Sequence, residues 1–245
     1  MATQSDLTAC DLFSNIGCHA IGFHRAGIRT VAFCEVDPFR RGILAKRFPG
    51  VPIHDDVRTY DGTPADILIG GPPCQGTSVA AAIQSKRTGG SLWPEQLRIG
   101  VNMGVEWIVV EQPPGNARWE TEVAEDLCGA GYHCARLEYS ASDVGAPYPR
   151  RRVFILACTS LPRLALARRS VPPAIRSVQR AGDARGDWSA DQLGALRVDA
   201  RSAGEMDRSV GSALRKQRIE ALGDSNPPHM AEVIGVAIAS STSVD

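Results

Sequence analysis

Through its first 158 residues the sequence alternates short apolar runs with stretches of helical spacing. DLTACDLF (6–13), TVAFCEV (30–36), ADILIGG (65–71) and VEWIVVEQ (105–112) have the length and composition of strands, and another is expected near 132–139. Between them, HAIGFHRAG (19–27), DPFRRGILAKRF (37–48), LWPEQLRIGVNMG (92–104) and a stretch around 119–130 read as helices. Asp37 followed by Pro38 reads as a helix cap and first helical residue. Strands that alternate with helices run parallel, because each helix carries the chain back to the edge where the next strand begins. RRVFILAC (151–158) follows the turn GAPYP (145–149) and is expected to pair antiparallel. The sequence therefore predicts an α/β fold: a doubly wound, mostly parallel sheet with helices on both faces.

Beyond residue 158 the alternation stops. Residues 159–210 mix Pro, Gly, Arg and Asp with little periodicity and predict a small irregular lobe or a long insertion. NPPHMAEVIGVAIAS (226–240) restores a helix, with Met230, Val233, Ile234, Ala237 and Ile238 on one face. The expected organisation is a main domain over 1–158, a short lobe over 159–218 and a C-terminal helix over 219–245 that returns to the main domain.

Charge separates these regions. The whole chain balances 27 basic against 27 acidic residues, which excludes a strongly basic or acidic protein. Residues 159–219, however, hold 12 basic and 6 acidic residues, net +6. Such a segment is either a polyanion contact or a solvated Arg-rich loop, and charge alone does not decide. The apolar runs are far shorter than the roughly 20 residues of a membrane span, and no signal peptide is evident. Seven cysteines at irregular spacing, with no CxxC pair, argue against a disulfide framework and against a zinc site. A cytoplasmic protein with no membrane partner and no metal is expected.

The strand ends carry the chemistry. The loop Asp11-Leu-Phe-Ser-Asn-Ile-Gly17 opens a helix and brings backbone N–H groups near a ligand. Glu35 follows the second strand and suits ribose hydroxyls. Asp55-Asp56 follow the next extended stretch. Together they mark either an adenosine site or ordinary turn residues. ADILIGG runs into Pro72-Pro73-Cys74, where two prolines stiffen the backbone before a thiol on a loop. That thiol is either a reactive thiolate or a turn cysteine without a role. Glu111-Gln112-Pro113-Pro114 end the adjacent strand, and Arg150 and Arg152 share a strand face, as an anion grip or a solvated edge.

Taken together, these segments resemble the ordered motif series of the cytosine-5 DNA methyltransferases. DLFSNIGCHAIGF (11–23) is similar to the family's cofactor loop, CEVD (34–37) to its ribose-binding acid, and DDV (55–57) to its adenine-contacting Asp. GGPPCQGTS (70–78) resembles the nucleophile loop, VVEQPPG (109–115) the Glu motif and GAPYPRRRVFIL (145–156) the arginine motif. LGDSNPPHMAEVIGVAI (222–238) resembles the final motif, which completes the cofactor pocket. The match covers about residues 6–158 and 218–240.

The resemblance implies the S-adenosylmethionine-dependent methyltransferase fold, with 1–158 as the catalytic and cofactor-binding domain and 159–218 as an abbreviated target-recognition lobe. It implies methylation of carbon 5 of a flipped-out cytosine in double-stranded DNA by a monomer. Cys74 would be the nucleophile. Glu111 would hold the ring nitrogen and amine, and Arg150 and Arg152 the base carbonyl and flanking phosphate. Phe13, Asn15, Gly17, Glu35, Asp56, Pro72 and Asp224 would line the S-adenosylmethionine site. Five positions depart from the family's habit: Asn15 stands where Gly is usual, Thr77 where an aromatic residue is usual, Gln112 where Asn is usual, Tyr148 where Gln is usual, and Asp224 where Asn is usual. A carboxylate at 224 would repel a donor with an additional carboxylate, so ordinary S-adenosylmethionine is expected. A transfer-RNA methyltransferase on the same scaffold, or a decayed protein that binds cofactor or DNA without turnover, are the alternatives.

Overall fold

A computed structural model describes residues 6–73, 91–188, 216–217, 220–221 and 223–242. Seven strands form one sheet in the order β3-β2-β1-β4-β5-β7-β6. They are β1 (Thr8–Leu12), β2 (Arg29–Cys34), β3 (Ile53–His54), β4 (Ile67–Gly70), β5 (Trp107–Gln112), β6 (His133–Ser140) and β7 (Arg151–Cys158). Only β7 runs against its neighbours: β5 and β6 both pair with it antiparallel, and the pairings from β3 to β5 are parallel. The predicted parallel sheet and its one reversed strand are both present.

The central strands are buried on both faces, as a parallel sheet covered by helices requires. β4 and β5 are buried at every residue. One face packs Leu12, Leu68, Ile108, Val110 and Ile155 against α3 (Trp93–Met103) and α4 (Ala117–Gly129). The other packs Ile69, Val109, Phe154 and Leu156 against α1 (Cys18–Arg25), α5 (Leu161–Arg185) and α6 (Pro228–Ala239). The remaining helix, α2 (Pro38–Arg47), starts as the sequence indicates. Asp37 Oδ1 accepts the N–H groups of Phe39 and Arg40, and Pro38 takes the first turn, where its missing N–H costs nothing.

Two features fix the chain beyond β7. The first corrects the sequence reading. Residues 161–185 are one continuous helix, where an irregular lobe was expected. Pro172 and Pro173 lie within it and are exposed, while Leu164, Ala167, Val171, Ala174, Val178 and Gly182 form a buried stripe at three- and four-residue spacing. Burial of that stripe overrides the lost helical hydrogen bonds at the prolines. The second feature is the close crossing of α1 and α6. A methyl group on Gly22 would lie 2.6 Å from the backbone nitrogen of Glu232, so only glycine permits that approach. Among the described residues, no helix is long and apolar enough to cross a membrane.

Candidate active site

Parallel strands place all their C-terminal ends on one edge of the sheet, where ligand sites of open α/β folds lie. β7 joins that edge by its first residues, because it is reversed: Gln112 pairs with Val153, and Glu111 with Phe154. The edge therefore collects Phe13 and Asn15 after β1, Glu35 after β2, Asp56 after β3, Pro72 after β4, Glu111 on β5, and Arg150 and Arg152 at the start of β7. Cys74 lies outside the described residues. It directly follows Pro73, whose carbonyl accepts a hydrogen bond from Leu92 N–H at 3.4 Å.

At the β4–β5–β7 half, Arg152 Nε meets Glu111 Oε1 at 2.8 Å, and both side chains are largely buried. Burial draws the Arg152 pKa below its usual value, against the opposing pull of the Glu111 charge. Glu111 also explains a glycine. A methyl group on Gly71 would sit 2.9 Å from Glu111 Oε2, so a side chain at residue 71 would push the carboxylate out of its present place. Gln112 faces the opposite side of β5 and is buried, with neither amide atom hydrogen-bonded among the described residues.

At the β1–β2 half, Glu35 is buried and grips backbone. Its Oε2 accepts Asn15 N–H at 2.7 Å and its Oε1 accepts Asp37 N–H at 2.9 Å. Phe13, Asn15 and Gly17 all have positive φ, at 54°, 49° and 83°. Asparagine tolerates this left-handed backbone better than most residues, so the turn forms without a glycine at 15. Asp56 is partly exposed and caps the following turn, its Oδ1 accepting Arg58 N–H at 2.9 Å.

Ala221, Gly223, Asp224 and Asn226 are tied across this half by three side chains. Asn15 Nδ2 donates to the Ala221 carbonyl at 3.0 Å. Arg40 Nη2 donates to Asp224 Oδ2 at 2.7 Å. Arg150 donates to Asn226 Oδ1 at 3.0 Å and to the Gly223 carbonyl at 2.8 Å. Arg150 and Arg152 thus start from one strand face but serve different groups: Arg152 meets the Glu111 carboxylate, and Arg150 holds the returning segment. Asp224 is paired rather than free. An adenosyl donor fits the residues present. Each oxygen of the Glu35 carboxylate keeps acceptor capacity beyond its one N–H, and Asn15 Oδ1 is buried without a partner among the described residues.

Sequence reasoning missed three participants. Arg40 carries no motif signal, and Asn226 lies inside the final motif without being marked out there, since their partners are remote in the chain. The third is His19, whose Nδ1 lies 3.2 Å from Asp11 Oδ1 beneath the β1 loop. Burial pushes the Asp11 carboxyl up despite the His19 charge. Burial opposes charge on His19 as well, but the Asp11 carboxylate and its hydrogen bond, with Glu111 adding, leave the imidazole pKa raised. Among the described residues, no group of three or more His, Cys, Asp or Glu side chains could hold a metal ion.

Residues 7–176 match the sequence model of C-5 cytosine-specific DNA methylases. The chain is similar to Type II methyltransferase M2.BsuMI of Bacillus subtilis, 34% identical over 160 residues, covering 60% of this chain and 40% of that protein. It is similar to Type II methyltransferase M.AquIA of Picosynechococcus, 31% identical over 175 residues, covering 59% of this chain and 69% of that one. The chain spans less than half the length of several of these relatives, including 40% of M.DdeI of Desulfomicrobium norvegicum. Among solved structures it resembles an E. coli prophage-encoded protein described as a DNA modification methyltransferase, with TM-score 0.53 and 26% identity, covering 62% of this chain and 47% of that one. A Spodoptera frugiperda DNMT2 mutant shares the fold at TM-score 0.54 and 18% identity, over 64% of this chain and 51% of that one.

Proposed function

Since the chain belongs to the C-5 cytosine-specific DNA methylase family, we propose that it methylates carbon 5 of a cytosine in double-stranded DNA. The base is flipped out of the helix, because a stacked base exposes neither face of its ring to a nucleophile. The Cys74 thiolate adds to carbon 6, and Glu111 delivers a proton to the ring nitrogen, so that carbon 5 becomes nucleophilic. S-adenosylmethionine, when bound, supplies the electrophilic methyl group. Loss of the carbon 5 proton and departure of Cys74 then restore the ring. Arg152 orients the Glu111 carboxylate and faces the base carbonyl. Arg150 acts at one remove, by holding the segment that closes over the donor. Glu35 receives the ribose hydroxyls, Phe13 packs on the adenine, and Asp56 meets the adenine amine. Asn15, Gly17, Pro72 and Asp224 complete the pocket wall.

The observation that carries this reading is the Glu111–Arg152 pair pressed against Gly71, three residues before Cys74. A base carboxylate, a guanidinium and the backbone that presents a thiol converge at one strand edge. A duplex containing 5-fluorocytosine tests it directly, since fluorine cannot leave as a proton does. With S-adenosylmethionine present, a denaturation-resistant adduct mapping to Cys74 is expected. An adduct at another cysteine, or none on DNA alongside one on transfer RNA, overturns the reading. Bisulfite sequencing of DNA from expressing cells then reports the target sequence.

A further inference from the structure

We infer that the solvent face of α5 is a second DNA contact, which grips phosphates of the duplex beside the target base. This rests on the reading that DNA is the substrate. The structure sorts the arginines of this helix into two sets. Arg163 is locked to Glu106, and Arg185 is locked to Asp187 and Glu232. Arg168, Arg169, Arg176 and Arg180 are exposed, and among the described residues none has an ion-pair partner.

Those four fall on one side of the helix. At 100° per residue they span an arc of about 120°, on the side away from the buried stripe of Leu164, Ala167, Val171, Ala174 and Val178. From Arg168 to Arg180 the stripe runs about 18 Å, at 1.5 Å of rise per residue. Over that length a duplex presents phosphates on both strands, one charge per about 1.7 Å of axis. Four guanidiniums with no acidic partner among the described residues suit such a row of oxygens, and arginine's planar fork favours phosphate.

The position of the helix joins this face to the site. Gln179, next to Arg180, lies against Gly145, in the turn that delivers Arg150 and Arg152. Just past the helix, Trp188 donates to the Val144 carbonyl at 3.3 Å and meets Tyr148 edge-on, with ring centroids 6.3 Å apart. A duplex held with its target base at Glu111 can continue over this turn and along α5.

The experiment compares the wild-type chain with a variant carrying Arg168→Ala, Arg169→Ala, Arg176→Ala and Arg180→Ala, and with Arg29→Ala, an exposed arginine at the start of β2, as control. Duplex affinity is measured over a range of salt, together with S-adenosylmethionine affinity as the check on folding. The quadruple variant should lose about 3–4 units of the slope of log affinity against log salt, near 0.9 per phosphate contact. Arg29→Ala should lose none, and a long duplex should suffer more than a short one. An unchanged slope in a variant that still binds the donor overturns the inference. The proposed function fails separately: a wild-type chain that binds DNA with the full slope yet forms no adduct with 5-fluorocytosine leaves the α5 contact standing and removes the chemistry. If the quadruple variant fails to fold, single Ala variants of the same four residues are measured instead. Each should lower the slope by about one unit, and no change in any of them overturns the inference.

Discussion

The two halves of the site edge are held together in different ways. Around Glu35 and Asn15, side chains grip backbone: a carboxylate takes two N–H groups, and an amide reaches a carbonyl on the returning segment. Around Glu111 and Arg152, side chain meets side chain across two strands. A backbone grip depends on the path of the chain more than on the identity of the residues along it. That is why Asn15 stands where the family usually has glycine and the turn still forms at φ 49°. A side-chain pair has no such latitude, because each group is defined by the other and by the glycine that leaves it room. Changes on the donor half should therefore weaken binding by degrees, and changes on the acceptor half should stop the chemistry.

The largest expected effects test the acceptor half. Cys74→Ser should reduce methyl transfer to background while donor affinity is kept, since a serine is a poor nucleophile and a poor leaving group here. Glu111→Gln should lower kcat by about 10²–10⁴, the usual worth of a positioned acid or base. Single-turnover methyl transfer with calorimetry of donor binding reads both. If Glu111→Gln keeps its rate and instead loses donor affinity, the division into halves is wrong.

Glu35→Ala comes next, with donor binding weakened by about 1.5–3 kcal/mol, the range for hydrogen bonds to a charged group. Rate at saturating donor and DNA affinity without donor should hardly change. Calorimetry that finds unchanged donor affinity rejects the ribose role of Glu35. Asn226→Ala should cost about 1 kcal/mol of donor affinity, through the loss of one hydrogen bond that holds segment 223–226 to Arg150. Smallest is Asp224→Asn. The Arg40–Asp224 pair is exposed on the carboxylate side, so its loss should cost less than about 1 kcal/mol and the effect should fade with added salt. A larger, salt-independent loss would mean that Asp224 touches the donor itself.

Most of the sheet was legible because its signal is local. Each strand is a short apolar run ended by a turn, and Asp37 with Pro38 marks its helix start within two residues. What was not legible came from contacts remote in sequence. Arg40 and Asp224 are 184 positions apart, and nothing near either one announces the other. The long helix failed for another reason. Pro172 and Pro173 are strong breakers, and they hid a stripe that runs from Leu164 to Val178 at regular helical spacing. Counting the stripe before the prolines would have found it. Glu111, Arg150 and Arg152 were identifiable as a set, but their division of labour was not, because equal side chains on one strand face reached different partners.

The reversed strand has a consequence for how such a protein can change. Because β7 runs backward, it leaves the sheet at the edge far from the site, and α5, about 37 Å long, brings the chain back. Trp188, just beyond that helix, sits by Tyr148 and His229, and the chain before α6 is pinned where Asn226 meets Arg150. Whatever lies between these two anchors thus departs from and returns to the same rim. In engineering terms the rim is a socket: a change of length placed between Trp188 and Ala221 is expected to leave every described strand pairing in place, and the melting temperature of such a variant reads this out.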